Sequence, residues 1–329
     1  MSSPPALDSL EAALERAVAR FDDGSATSAQ IRYHFGFAEG RRGKRLRPRL
    51  VLEVAAEEGG SADDALAAAC AVEIVHEFSL IHDDIEDGDL LRRGRETLWS
   101  RYGLAHGVNA GDALCSVAYL TLLDEAGAPA ERKLAMNRVL LAAHLAMCGG
   151  QGRDIAFETE PRVTMEQYRA MIGGKTAALF GAACELGALA AGADAVRAAA
   201  YAQLGRSYGI AFQIEDDVLG TWGDSATTGK PCGKDLANRK WTFPVVWALG
   251  GPPSQARSAI AGAYARGTAL TPDAVAATVA ALDRLGAREA AHRAARDELA
   301  EADALASARG IDRSGRVRGF FQRAARRVA

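Results

Sequence analysis

The sequence predicts an all-α fold, and three observations carry that reading. Apolar residues recur at spacings of three and four, alanine is abundant from end to end, and strand signals are nearly absent. Leu7, Leu10, Leu14, Val18 and Phe21 form one apolar face and predict the first helix. Gly, Pro and Asp punctuate the chain near 40–48, 58–63, 88–94, 125–130, 149–153, 220–235 and 250–254, dividing it into helices of moderate length. The apolar pattern carries on across these points, so residues 1–329 are expected to form a single domain, with 1–6 disordered. The basic segment 309–329 is expected to be partly helical.

Hydrophobic residues make up 49% and charged residues 25% of the 329, as in ordinary globular proteins. A formal net charge of -3 argues against a chain held to nucleic acid by overall charge. Cys70, Cys115, Cys148, Cys184 and Cys232 are scattered, with no C-x-x-C pair, and read as buried free thiols of a reducing cytoplasm. The N-terminus lacks the pattern of a signal peptide, and no uninterrupted apolar run is long enough to span a bilayer. A cytoplasmic protein with no transmembrane segment is therefore expected.

Residues 76–95 hold the first acidic cluster. Ile74, Phe78, Ile81 and Ile85 form one helical stripe, and His76, Asp83 and Asp87 another. At ~100° per residue, Asp83 lies nearly opposite Ile81. Asp83 and Asp87 are four apart and therefore neighbours, so their like charges weaken the helix end. Such a placement calls for a compensating cation. Magnesium suits it, because it takes one or two carboxylates and completes its shell with water and phosphates. Read alone, the cluster is a solvated helix end; Arg92 and Arg93 nearby favour phosphate recognition instead.

A second cluster, Phe212-Gln213-Ile214-Glu215-Asp216-Asp217, places Gln213, Asp216 and Asp217 within a helical turn of each other. Two such helices facing across a cavity could clamp metal ions on one diphosphate. Basic residues accompany both clusters: Gly43-Lys44-Arg45-Leu46-Arg47-Pro48, then Lys230, Lys234 and Lys240. Gly173-Gly174-Lys175-Thr176 lacks the first glycine and the strand of a P-loop, yet a lysine and a hydroxyl beside glycines can still bind phosphate. No histidine lies in a nucleophile or zinc-protease context.

With these motifs in this order, the chain resembles the trans-isoprenyl diphosphate synthase (polyprenyl synthetase) family, strongly over residues 35–250. The motifs are Gly43 to Pro48, Asp83 to Asp87 with Arg92-Arg93-Gly94, Asn109 to Asp112, Gly150-Gln151 with Asp154, Gly174-Lys175-Thr176, Phe212 to Asp217, and Thr228-Gly229-Lys230 before Lys240. The resemblance implies an isoprenoid-synthase-type helical bundle around a central cavity. It implies a homodimer that uses Mg²⁺ and two substrates, isopentenyl diphosphate and an allylic diphosphate. Lys44, Arg47, His76 and Arg93 would bind isopentenyl diphosphate. Arg92, Lys175, Thr176, Gln213, Lys230 and Lys240 would grip the allylic diphosphate. Asp83, Asp87 and Asp216 would hold metal, and Asp83, Asp84, Asp87, Lys175, Asp216 and Asp217 form the implied catalytic set.

The implied reaction is ionisation, condensation and elimination, with the detached diphosphate as base. Two departures stand out. Gly220 occupies the last acidic place of the second motif, where Gly220 and Gly223 suggest a loop and Asp224 is a possible substitute. Glu96 stands where a proline is usual after the arginine pair. Phe78 and Ser79, fifth and fourth before Asp83, are the implied chain-length positions. An aromatic at the fifth resembles synthases that stop at C20, with C15 as the alternative. A class I terpene cyclase and a non-catalytic partner subunit are the competing readings. The cyclase needs no isopentenyl diphosphate site, and the partner subunit should have lost the first motif.

Overall fold

The computed structural model describes residues 7–20, 22–37, 42–124, 128–223, 233–265 and 269–326. In chain order the elements are α1 (Leu7–Ala19), α2 (Ala26–Phe35), α3 (Leu46–Glu57), α4 (Ala62–Glu86), β1 (Leu91–Arg92), β2 (Arg95–Glu96), α5 (Leu98–Tyr102) and α6 (Leu104–Leu123). There follow α7 (Ala130–Phe157), α8 (Met165–Ile172), a π-turn (Gly173–Ala177), α9 (Ala178–Ala190) and α10 (Ala195–Trp222). The rest comprises α11 (Lys234–Ala237), α12 (Phe243–Gly250), α13 (Gln255–Tyr264), α14 (Pro272–Leu285), α15 (Ala287–Arg309) and α16 (Arg316–Arg326). The all-α expectation holds: among the described residues the strands amount to one antiparallel hairpin. Residues 1–6, Phe21, Asp224, Lys230 and Cys232, which carry earlier expectations, lie outside the described residues.

The chain divides into two compact units. The first comprises residues 1–144, 182–202 and 309–320; the second comprises 145–181, 203–308 and 321–329. Helix α4 is the axis of the first, packed by α1, α3 and α6. Ser61 starts it with a capping box shared with Asp64, which satisfies two orphan backbone donors. Ala65, Ala68, Ala69, Ala71, Val72, Ile74 and Val75 are all fully buried, so α4 is apolar around most of its circumference and sits inside protein. By length and composition α4 could cross a membrane, but 67% of its apolar window is buried in the unit, which is how a core helix behaves.

The second unit builds its core on Tyr168, Ile214, Leu236, Val245, Ile260 and Leu282. Two punctuation points fall inside helices here, so these are longer than expected: α7 and α10 have 28 residues each. Gly149 and Gly150 lie within α7. A Cβ on Gly150 would stand 2.1 Å from the backbone nitrogen of Lys175, so this glycine marks a close backbone approach, not a break. Gly220 likewise lies within α10 and not in a loop. Its carbonyl accepts from the Gly233 N–H at 3.1 Å. The cysteine expectation is corrected in part: Cys70 and Cys184 are buried, but Cys148 is exposed on the outer face of α7.

Candidate active site

In the first unit, the acidic motif ends α4. Asp83 is half-buried in the last turn, and Asp87 is the exposed C-cap. The macrodipole already places negative charge there, so two carboxylates add to an unfavourable field that a cation would relieve. Asp84 behaves differently. It is 1% exposed, and its Oδ1 accepts from Arg92 Nη2 at 2.6 Å and Nε at 2.7 Å. Burial raises its carboxyl, and Arg92 opposes that rise. Its second oxygen, Oδ2, is buried without a hydrogen-bond donor.

His82 precedes this cluster and lies against Gly111 of α6. A Cβ at Gly111 would fall 2.2 Å from His82 Nε2, so Gly111→Ala should push the ring and the last turn of α4 outward. We expect a loss of about 1–3 kcal/mol, read as a lower midpoint in thermal unfolding. An unchanged midpoint would mean that His82 rotates away at no cost.

The cations assigned to isopentenyl diphosphate are all in the first unit. Lys44 is exposed and Arg47 half-buried. Arg47 Nη1 lies 3.3 Å from His76 Nε2. Burial, and next the Arg47 charge, hold His76 well below its ordinary pKa, so its ring is neutral and accepts from Arg47. Arg93 reaches the same segment from the hairpin. Leu91 pairs with Glu96 and Arg92 with Arg95, leaving Arg93-Gly94 as a two-residue loop with φ of 54° and 78°. Positive φ at both central positions is the type I′ signature. The hairpin forms with Glu96 in the place of proline, and Tyr33 donates its hydroxyl to the Glu96 carbonyl at 2.9 Å.

Phe78 is 6% exposed and packs edge-on to His144, with ring centroids 4.7 Å apart. Tyr119 Oη lies 2.6 Å from His144 Nδ1. Burial lowers the His144 pKa, so the ring is the neutral acceptor of the tyrosine proton. Ser79, the other chain-length position, turns back to donate to the His76 carbonyl at 2.8 Å.

In the second unit, Lys175 and Thr176 sit in the π-turn, an irregularity common at functional sites. Lys175 Nζ lies 2.6 Å from Asp154 Oδ2, and Lys240 Nζ lies 3.5 Å from the same oxygen and 3.2 Å from Glu158. Burial works to raise the Asp154 carboxyl, but the two lysines outweigh it and hold it below its usual value. Thr176 donates to Gln213 Oε1 at 2.7 Å, and Gln213 donates to Asp217 Oδ1 at 2.9 Å. Asp217 Oδ2 accepts from the Tyr168 hydroxyl at 2.6 Å and the Phe243 N–H at 2.7 Å.

Asp216 is exposed, whereas Asp217 is 6% exposed and has three donors on its carboxylate. Burial pushes Asp217 up to about 7 despite those donors. Its side chain holds Tyr168, Gln213 and the start of α12. Both carboxylate oxygens of Asp217, a member of the implied catalytic set, are thus engaged by neighbouring donors.

Spacing alone missed several of these residues. Glu77 and Glu73 are a like-charged pair four apart inside an apolar helix, a signal that a buried cation must exist, and Arg45 is that cation. Asp235 was also missed: its Oδ2 stands 2.2 Å from where a Cβ of Gly220 would be. Among the described residues no three His, Cys, Asp or Glu side chains converge to hold a metal. One or two solvent-accessible carboxylates per cluster, Asp83 with Asp87 in the first and Asp216 in the second, fit magnesium, which draws its remaining oxygens from water and phosphate. The partnerless Oδ2 of Asp84 fits the same arrangement.

The sequence profile of the polyprenyl synthetase family matches residues 33–280. A geranylgeranyl diphosphate synthase from Mycobacterium tuberculosis is 42% identical over 297 residues, covering 87% of this chain and 82% of its own. The polyprenyl synthetase of Streptomyces coelicolor A3(2) superposes with a TM-score of 0.88 at 35% identity, covering 98% of this chain and 97% of its own. A geranylgeranyl pyrophosphate synthase from Corynebacterium glutamicum, solved with isoprenyl diphosphate and magnesium, gives a TM-score of 0.85 at 25% identity, over 97% of this chain and 98% of its own.

Proposed function

Because the chain belongs to the polyprenyl synthetase family, we propose that it joins isopentenyl diphosphate to an allylic diphosphate with Mg²⁺ and stops at a C20 product. It is a prenyltransferase of the short-chain trans type. The observation that carries the reading is a division of labour that occurs twice. In each aspartate pair the first carboxylate is the more accessible, half-buried at Asp83 and exposed at Asp216, and the second is buried and holds a neighbour, at Asp84 and Asp217.

In this reading Asp83, Asp87 and Asp216 hold Mg²⁺, whose chemistry is to stabilise negative charge on a departing diphosphate. Arg92, fixed by Asp84, and Lys175 and Lys240, gathered by Asp154, bind the allylic diphosphate and favour its leaving. Thr176 and Gln213 orient it, and Lys230 belongs to the same set. Lys44, Arg47, neutral His76 and Arg93 hold isopentenyl diphosphate, whose double bond attacks the allylic carbon. No side chain needs to serve as base, since the released diphosphate can take the proton. Phe78, backed by His144 and Tyr119, limits product length. The choice of C20 over C15 rests on Phe78, since relatives named geranylgeranyl and farnesyl diphosphate synthase are 42% and 41% identical.

The assembly we propose is a homodimer. Leu134, Leu141 and Leu145 lie along one stripe of α7 and are 64%, 51% and 75% exposed, an apolar surface suited to a second copy. A cytoplasmic location accompanies this reading.

The test is incubation with Mg²⁺, isopentenyl diphosphate and each allylic starter from C5 to C20, with products identified by mass. We expect linear diphosphates ending at C20 that need both substrates. Asp83→Ala should lower turnover at least a thousandfold, a barrier change of about 4 kcal/mol. A cyclic hydrocarbon made from the allylic diphosphate alone would sink this reading in favour of a terpene cyclase.

A further inference from the structure

One buried carboxylate touches both segments that carry the cations assigned to isopentenyl diphosphate. The Glu77 side chain is fully buried in α4. Its Oε1 accepts from Arg93 Nη2 at 3.0 Å and from Arg45 Nη1 at 2.7 Å. Its Oε2 accepts from Arg93 Nη1 at 3.4 Å, and His34 Nε2 lies 2.9 Å from the same oxygen.

Arg45 is fully buried and also bonds Glu11 and Glu73, each at 2.7 Å. It stands between Lys44 and Arg47 in the chain, so pinning Arg45 fixes the path of the segment that presents both. Arg93 comes from the tip of a hairpin with two-residue strands, too short to hold a side chain in place by itself. Gly43 closes the arrangement: a Cβ there would stand 2.9 Å from Arg93 Nη2. The guanidinium is thus lodged between Gly43 and Glu77.

Burial would raise the Glu77 carboxyl, but contact with His34 and the charges of Arg93 and Arg45 hold it well below its usual range, so it stays ionised. An arginine has five N–H donors in a planar fork. Two nitrogens on Glu77 leave donors of Arg93 for a diphosphate, and its side chain remains 23% exposed. Glu77 therefore orients this cation without consuming it.

We propose that Glu77 is a positioning residue for isopentenyl diphosphate. Through Arg45 and Arg93 it sets the spacing between the Lys44–Arg47 segment and the hairpin, touching no substrate itself. This rests on the assignment of Arg93 to isopentenyl diphosphate made above.

The experiment compares Glu77→Gln with Arg93→Ala. Initial rates are taken against each substrate, isopentenyl diphosphate alone is titrated calorimetrically, and thermal unfolding is followed in parallel. Both variants should raise the KM and Kd for isopentenyl diphosphate, Glu77→Gln by about tenfold. For Glu77→Gln, the KM for the allylic diphosphate and kcat should stay within about twofold. If Arg93→Ala leaves isopentenyl diphosphate binding untouched, the assignment of Arg93 fails. If Arg93→Ala weakens binding and Glu77→Gln does not, the positioning role fails. A lower melting temperature without a change in KM makes Glu77 structural only and overturns the proposal.

Should Glu77→Gln not fold, Gly43→Ala reads the same geometry. Its methyl displaces the Arg93 guanidinium from Glu77 without touching the buried acids. A selective rise in KM for isopentenyl diphosphate is expected, and an unchanged KM overturns the proposal.

Discussion

Gly220→Asp, which restores the usual acid of the family's second motif, should lower stability and metal affinity together. The new Cβ would stand 2.2 Å from Asp235 Oδ2, far inside contact distance. Relief requires the Asp235 carboxylate to swing away, because the Gly233 N–H is bonded to the Gly220 carbonyl and keeps the start of α11 close to α10. The variant would also place a second carboxylate against Asp235, whose charge adds to burial in raising Asp217. Overpacking and like-charge repulsion together should cost about 3 kcal/mol. Thermal unfolding reads the first effect, and Mn²⁺ binding followed by electron paramagnetic resonance reads the second. Gly220→Asp combined with Asp235→Gly should recover most of the stability. A single variant as stable as the parent would show that α11 yields freely, and the close approach would lose its significance.

Arg45→Ala should be the more damaging change to the first unit. It leaves Glu11, Glu73 and Glu77 facing one another with side chains 4%, 2% and 0% exposed. Removing one member of a buried ionic network typically costs about 3–5 kcal/mol, because the remaining charges are uncompensated. Proton uptake by Glu73, whose carboxyl burial already raises, would soften the loss but not cancel it. Arg45→Lys keeps the charge yet cannot reach three carboxylates with one ammonium, so it should rescue only part. Chemical denaturation monitored by circular dichroism measures both variants. A midpoint for Arg45→Ala equal to the parent's would remove the network from the account of stability.

The helical class was legible because period and propensity agree along most of the chain. Helix α4 shows where that legibility ends. Its apolar stripe and the neighbouring Asp83 and Asp87 follow from spacing, but that Asp84 is buried and paired depends on Arg92, which arrives from a hairpin too short to leave a periodic signal. The setting of Asp217 was hidden for the same reason: its donors, Tyr168 and the Phe243 N–H, come from distant parts of the sequence. Glycines misled in a different way. Gly150 and Gly220 resemble helix breaks, yet each admits another segment against a continuous helix, and sequence alone does not distinguish these uses. The basic residues around Lys44 were recognised individually. The acid that binds two of their segments together was not, because Glu77 reads simply as one more helical residue.

The backbone of Arg93 carries a consequence for how this chain could change over time. A side chain at φ 54° sits in a region that disfavours L-residues by roughly 1–2 kcal/mol, and glycine or asparagine would occupy it more comfortably. Drift to either would relax the turn but would also take a cation from the buried Glu77, so the relief is offset. The buried acid thus holds the arginine against the conformational preference of its own backbone, and the tip of this hairpin is tied to the interior of α4 through that side chain.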